Sequence, residues 1–349
     1  MKKIITILAI ETSCDETAAS VLQASPDGFE VLSDIISTQV RTHAKYGGII
    51  PEIAARMHIE NMIPIVNQAL KKAKKKPTDI DAIAVTGGPG LITSLLVGVE
   101  TAKSLSVAWN IPLIKVNHIE AHICSSLVSK NQDEIKSLLP ALALVVSGGH
   151  TELILMNDFG KYKWIGGTRD DAVGEAFDKV AKMLKLGYPG GPAISALAEK
   201  YSPGKLSPEI TLPRPMINTG DFEMSFSGIK TSVLYNWNKS RQGKKLKKAM
   251  AHEFQEAVTD VLVYKTASAI KEHKVKSLLL GGGVAANKVL RRKLENAVNE
   301  IPGVELSMPE IKYTGDNAVM IGVVAYFQYL NKDFCEVKNF RPDPNWEVT

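Results

Sequence analysis

One ordered pattern occurs twice in this chain and limits what it can fold into. A strand, a polar turn and a second strand come first; a strand, a glycine turn and a helix come later. In the first half the strand Ile4–Ile10 runs into a polar turn from Glu11 to Glu16, and strand character resumes from Thr17 to Leu22. Further on, Ile80–Thr86 meets Gly87-Gly88-Pro89-Gly90 and then an apolar helix from Leu91 to Trp109. The second half repeats this order. Leu142–Val146, Ser147-Gly148-Gly149-His150 and Thr151–Met156 form the first unit, and Ser277–Leu280, Gly281-Gly282-Gly283 and a helix from Val284 to about Val298 form the second. The halves share little residue identity, so the repeat lies in the architecture. At 349 residues with 45% hydrophobic, the chain can bury one large core or two lobes.

Between these units the spacing predicts a helix over Pro51–Lys76, with Ile53, Met57, Ile63, Val66 and Leu70 near one face. Ile111–Val116 reads as a strand feeding a helix that starts near Asn117. The stretch from about Trp164 to Lys248, rich in glycine, proline and polar residues, reads as an inserted helical region, with a long loop from Pro203 to Asp221.

Composition removes several classes. No apolar run is long enough to span a membrane. The opening MKKIITILAI is short, ends at Glu11 and lacks a small-residue cleavage site, so it reads as a buried strand in a cytoplasmic protein. The cysteines are Cys14, Cys124 and Cys335, far apart and with no CxxC pair, which argues against a zinc knuckle or disulfide framework. Neither GxxxxGK[ST] nor GxGxxG occurs, so P-loop and Rossmann readings lose support. Net charge is +5, which permits a polyanionic partner without requiring one. Dense lysine runs at Lys71–Lys76 and Lys244–Lys248 suit either a solvated helix end or a polyanion contact.

The chemistry-bearing residues fall in the turns. Thr12, Ser13, Asp15 and Glu16 form one tip, and Glu11, Asp15 and Glu16 are candidate proton acceptors. Hairpin tips with serine, threonine and glycine can offer backbone N–H groups to a phosphate, and the glycine turn at Gly281–Gly283 lets backbone approach a ligand. His118-Ile119-Glu120-Ala121-His122 places two imidazoles four residues apart on one helix face. Such a pair can hold a metal with a carboxylate, or can face solvent or a partner. It is not HExxH, because Ile119 follows the first histidine, so a metalloprotease is rejected. Asp316 in Tyr313-Thr314-Gly315-Asp316-Asn317 offers a third ligand or a helix cap.

Taken together, these segments resemble the catalytic subunit family of the universal tRNA threonylcarbamoyladenosine synthase. Matching stretches include Ala9–Thr17, Gly47–Glu52, Gly87–Gly90, His118–His122, Val146–Thr151, Gly174–Lys179, Ser225–Thr231, Gly281–Asn287 and Thr314–Ala318, in family order over almost the whole chain. Pro51–Arg56 looks like the bacterial and mitochondrial branch. The resemblance implies an α/β, actin-like ATPase fold with two duplicated lobes around a nucleotide cleft. The lobes are expected at 1–130 plus about 318–349, and at 131–317. It implies that His118, His122 and Asp316 bind one divalent metal ion, Fe(2+) ahead of Zn(2+). It assigns Val145, Val146, Ser147, Gly148, Gly149, Asp178, Gly191 and Asn287 to the nucleotide-like substrate. Ser195 stands where bacterial members often carry Asp, so a ribose contact there has fewer acceptors. Phe340–Trp346 fits the family only loosely.

The implied reaction uses threonylcarbamoyl-AMP as donor and modifies the adenosine 3′ of the anticodon in tRNAs reading codons that begin with A. The implied partners are tRNA, a shortened paralogue of the same fold as a heterodimer, and a small P-loop ATPase. The helix Pro51–Lys76, through Met57, Met62, Ile63 and Val66, could pair with the paralogue or pack on its own core. Two rivals remain at this stage: an ATP-dependent small-molecule kinase of the same fold, and a non-catalytic paralogue acting as a binding module.

Overall fold

The computed structural model describes residues 4–202, 210–240 and 243–348. Part of the Pro203–Asp221 loop expectation, residues 203–209, lies outside them; residues 210–221 carry no helix or strand. The chain divides into two compact units. The first holds residues 1–139, 159–161 and 308–349; the second holds 140–158 and 162–307.

In the first unit the strands are β1 (Ile5–Glu11), β2 (Glu16–Ser25), β3 (Gly28–Thr38), β4 (Ala82–Gly88) and β5 (Leu113–Asn117). They form one sheet in the order β3-β2-β1-β4-β5. β1 pairs antiparallel with β2 and parallel with β4, and β4 pairs parallel with β5. Every residue of β1 and β4 is buried, which is why both read as unbroken apolar runs: each face of these central strands is covered. Leu8 and Ile10 face a core with Met62, Val66, Val99 and Ala102, from helices Pro51–Ala73 and Ile92–Trp109. Ala9 points the other way, toward Gly322 of the helix Ala318–Leu330, where an added Cβ would come within 3.6 Å of it.

The second unit repeats the plan. Its strands are β6 (Ala141–Val146), β7 (Thr151–Asp158), β8 (Lys161–Gly167), β9 (Ser277–Gly281) and β10 (Glu305–Ser307), in the order β10-β9-β6-β7-β8. β6 is antiparallel to β7 and parallel to β9. Both expected motifs are therefore present in each sheet. The polar turns follow β1 and β6, and the glycine turns follow β4 and β9. Three strands escaped the sequence reading. β3 mixes Glu30, Asp34 and Thr38 with apolar residues, β8 opens on lysines, and β10 spans only 3 residues. All three are sheet edges, where one-sided exposure dilutes the apolar signal.

The inserted region supplies helices Val173–Met183, Gly190–Ala198 and Ser227–Lys239 before the 30-residue helix Lys244–His273. Buried Lys265 of that last helix donates to Thr219 Oγ1 at 2.8 Å and to the Asp221 carbonyl at 2.7 Å, tying down the irregular segment.

The helix Pro51–Ala73 corrects one expectation. Its buried stripe is Ala54, His58, Met62, Ile65, Val66, Ala69 and Leu70, so Met62 and Val66 belong to the core and cannot form a pairing face. Ile59 and Ile63 point outward, and Ile63 is 53% exposed. The helix thus carries its apolar residues on two sides, and a count of apolar positions alone mis-phased it. Met62→Lys is expected to destabilise the protein by more than about 3 kcal/mol, since it buries an unpaired charge. Ile63→Lys should stay within about 0.5 kcal/mol. Denaturant titration of both variants checks this, and equal stabilities would refute the assigned face.

Candidate functional site

β5 ends at Asn117, and the helix His118–Cys124 begins at the next residue. The Asn117 side-chain oxygen accepts from Ile119 N at 2.8 Å and Glu120 N at 3.2 Å, capping that helix. His118 and His122, one turn apart, have ring centroids 4.5 Å apart. They do not face solvent: His118 is 6% exposed and His122 is 0%. Asp316 Oδ1 lies 3.6 Å from His118 Nε2 and 3.3 Å from His122 Nε2. The helix cap next to it is Asn317, whose side chain accepts from Met320 N.

This group fits a metal ion. His122 is wholly buried; its Nδ1 makes no hydrogen bond and its Nε2 faces the Asp316 carboxylate at 3.3 Å, an arrangement that leaves the ring short of partners. The ligand atoms of His118, His122 and Asp316 all lie within 4.8 Å of one another. Ligands about 2.0–2.2 Å from one ion sit roughly 3.0–3.5 Å apart, close to the spacings seen.

Behind His118 stands Glu11, the last residue of β1 and fully buried. Its carboxylate accepts from His118 Nδ1 at 3.0 Å, from Thr86 Oγ1 at 2.6 Å and from the Ser13 backbone N–H. That bond fixes the ring and turns Nε2 toward Asp316, the usual job of a carboxylate behind a metal-binding histidine. Burial opposes the charge on His118, but Glu11 and then Asp316 outweigh it and push its pKa up to about 9. Burial would raise Glu11, yet the His118 charge holds it below its ordinary value. Burial, and then the His118 charge, lower His122 below its ordinary value.

The other turn residues crowd the same place. Asp15 is buried with Oδ2 lacking a hydrogen bond, while Glu16 accepts from Thr38 Oγ1 at 3.1 Å. Burial, then the charges of Asp316 and Asp15, hold Glu16 well above the usual carboxylate range. His58 was missed by sequence reasoning. Its Nδ1 accepts from Thr17 Oγ1 at 2.8 Å and its Nε2 donates to the Cys14 carbonyl at 3.0 Å, which fixes the β1–β2 turn from below. Its signal was the correct helical phase, since it falls on the stripe of Ala54 and Met62.

The second unit holds a pocket of about 400 Å³. Gly148, Asp178, Gly191, Ser195 and Asn287 line it, together with Phe177 and Gly283. Val145 and Val146 do not, being fully buried within β6. Ser147 closes its own turn: its Oγ accepts from His150 N, and its N–H donates to the His150 carbonyl. Gly149 is exposed but is not among the lining residues.

A family model described as TsaD, tRNA N6-adenosine threonylcarbamoyltransferase, matches residues 30–323. The chain belongs to this family. It is 46% identical over 338 residues to the tRNA N6-adenosine threonylcarbamoyltransferase of Geobacillus thermodenitrificans (strain NG80-2), covering 95% of each chain. It is 47% identical over 338 residues to the enzyme of that name in Clostridioides difficile (strain 630), again covering 95% of each. Among solved structures, full-length HypF aligns with TM-score 0.58 at 15% identity, over 93% of this chain and 46% of that one, which speaks to fold alone. The chain thus has the actin-like ATPase fold, and family membership does not favour the kinase or the non-catalytic module.

Ser195, where the resemblance led to an expected Asp, is held by a side-chain network. Its hydroxyl donates to Gln255 Oε1 at 2.8 Å, and Asn287 Nδ2 donates to the same Gln255 oxygen at 3.0 Å. Asn287 Oδ1 meanwhile caps the helix Lys288–Asn299 through Val289 N and Leu290 N. Gln255, buried on the long helix, had no sequence signal, because its partners lie 60 and 32 residues away. Asp178 accepts from Gly190 N at 2.6 Å and so holds the start of the helix Gly190–Ala198.

Two glycines here have opposite roles. A Cβ on Gly174 would lie 2.6 Å from the Ser147 carbonyl, whereas one on Gly191 would meet nothing within 4 Å. Gly174→Ala should cost about 1–3 kcal/mol. Gly191→Ala should be neutral or stabilising by up to about 1 kcal/mol, since alanine suits a helix better. Thermal unfolding of the two variants decides this, and a wild-type melting point for Gly174→Ala would show that the crossing is not tight.

Proposed function

We propose that this chain transfers the threonylcarbamoyl group of threonylcarbamoyl-AMP to the exocyclic amine of the adenosine 3′ of the anticodon. The amine nitrogen bonds to the carbamoyl carbon, the bond from that carbon to the phosphate oxygen breaks, and AMP leaves with the electron pair. The convergence of His118, His122 and Asp316, in a chain of this family, is the observation that carries the reading. Iron(II), ahead of zinc, is the proposed ion for this histidine and carboxylate set. When bound, it supplies Lewis acidity to the threonylcarbamoyl part.

The residues of the chain do the positioning. Glu11 orients His118 and is sealed behind it, so it is a positioning residue; Asp15 and Glu16 are the remaining candidates for the amine proton. Gly148, Asp178, Gly191, Ser195 and Asn287 are assigned to the nucleotide end of the donor, on the strength of the pocket they line. We assign the two compact units to the two lobes of the actin-like enzyme. No described helix is long and apolar enough to cross a membrane, and a cytoplasmic location is proposed because tRNA is the substrate.

The test is reconstitution with tRNA transcript, ATP, threonine, bicarbonate and partner proteins, reading the modified nucleoside. His118→Ala and His122→Ala should each remove most bound metal, measured by elemental analysis. Each should cut product formation by at least about a hundredfold while the fold survives. Full metal content in both variants would overturn the site.

The proposed protein partners are a shortened paralogue, forming a heterodimer, and a small P-loop ATPase. Exposed Ile59 and Ile63 are the apolar residues that the helix Pro51–Ala73 presents for the paralogue, so the Ile63→Lys variant also probes that contact.

For tRNA, the two lysine runs differ. Lys71 and Lys72 end a helix, where the macrodipole favours cations. Lys244–Lys248 open one, where the macrodipole opposes them, so a polyanion there would relieve repulsion. Reversing the charges of Lys244, Lys245, Lys247 and Lys248 should weaken binding of unrelated tRNAs equally. It should also lower the slope of log affinity against log salt by up to about 0.9 per lost phosphate contact. An unchanged slope would move the tRNA surface elsewhere.

A further inference from the structure

The C-terminal segment Phe340–Trp346 lies across the glycine turn after β4. Phe340 is anchored in the apolar core. Asp343 N donates to the Gly87 carbonyl at 2.8 Å, and Gly90 N donates to the Pro344 carbonyl at 3.3 Å. The approach is as close as backbones allow: a Cβ on Gly88 would fall 1.8 Å from the Asp343 oxygen, at a φ of +149°. The segment ends on Trp346, whose ring sits 5.3 Å from Lys115 Nζ and whose carbonyl accepts from Asn117 Nδ2 at 3.0 Å.

Asn117 is therefore divided in two. Its oxygen caps the helix that carries His118 and His122, and its amide nitrogen holds the C-terminal segment. A second route runs through the glycine turn. Gly90 touches Ser13 so closely that a Cβ would lie 2.6 Å from the Ser13 carbonyl, and Leu91 N donates to that carbonyl at 2.8 Å. Ser13 Oγ lies 3.3 Å from His118 Nδ1, and the Ser13 N–H bonds the Glu11 carboxylate that orients the same ring. Both ends of the strap thus lead to one short helix of 7 residues, which is too short to hold its own geometry.

We propose that residues 341–346 act as a strap that sets the pose of the His118–Cys124 helix, with Asn117 as its buckle, and so tightens metal binding without contributing a ligand. The inference rests on the metal reading of His118, His122 and Asp316.

Two full-length or near-full-length proteins test it. Asn117→Ser keeps a capping oxygen but loses the longer side-chain amide that reaches the Trp346 carbonyl. A chain ending at Arg341 removes Asp343, Pro344 and Trp346, which make the strap's contacts, and keeps Phe340 in the core. Equilibrium dialysis with Co(2+) alone should show metal binding about tenfold weaker in both, the usual effect of removing a group that orients a ligand. Melting temperatures of metal-free Asn117→Ser and wild type should stay within a few degrees, which a merely structural role would not predict alongside lost affinity. In the metal-free proteins, amide exchange at His122, Ile123 and Cys124 should rise at least about tenfold. Unchanged exchange in Asn117→Ser overturns the strap, whether or not the truncated chain folds. Failure of the wild type to bind Co(2+), or equal binding by His118→Ala, overturns the metal reading instead, and the exchange measurement still judges the strap.

Discussion

A carboxylate buried at the end of the central strand of a sheet is costly unless both of its oxygens find donors. Glu11 meets that requirement through His118, Thr86 and the Ser13 backbone. Those three donors come from three different elements: the helix after β5, the strand β4 and the turn after β1. Removing one would leave a charge in the core, so the carboxylate locks the three elements together. The orientation of His118, and through it the meeting with His122 and Asp316, follows from this one buried group.

The two units use the same backbone plan for different ends. In each, a polar turn after the first strand and a glycine turn after the fourth lie beside one another, because those strands are parallel neighbours. In the first unit the space near the turns is filled by protein: Ser13 against Gly90, Thr12 against Gly98, and the C-terminal segment against Gly88. In the second unit Gly282 presses on Val146, at a φ of +90°, but Gly148, Gly191 and Gly283 border open space. One sheet plan thus yields a packed corner holding the His118, His122 and Asp316 group in one unit and a pocket of about 400 Å³ in the other.

Ser195 and Asn287, which line the pocket, share the Gln255 side-chain oxygen as their acceptor. A hydroxyl has one proton to give, and here Gln255 accepts it. The wall of the pocket is neutral at this point, and its polarity comes from amide groups held by two helices. The lysine that would be hardest to bury, Lys265, is likewise satisfied by three oxygens of the irregular segment at Thr219 and Asp221.

The sequence by itself determined the order of strands, turns and helices through the two centres, the family, and the pair His118 and His122. Each of these is local: central strands are covered on both faces and read as apolar runs, glycine turns are needed where backbones approach, and two histidines one helical turn apart share a face. Tertiary structure decided the rest. It brought Asp316 to the histidines across almost two hundred residues, put Glu11 behind His118, and buried Val145 and Val146 while leaving Gly148 and Gly191 open. It also recruited His58 and Gln255, placed Met62 inside and Ile63 outside, and laid the C-terminal segment over the turn at Gly87–Gly90. These outcomes depend on which faces meet after packing and on which buried polar atoms must be satisfied. No short-range pattern encodes that, because the partners are far apart along the chain.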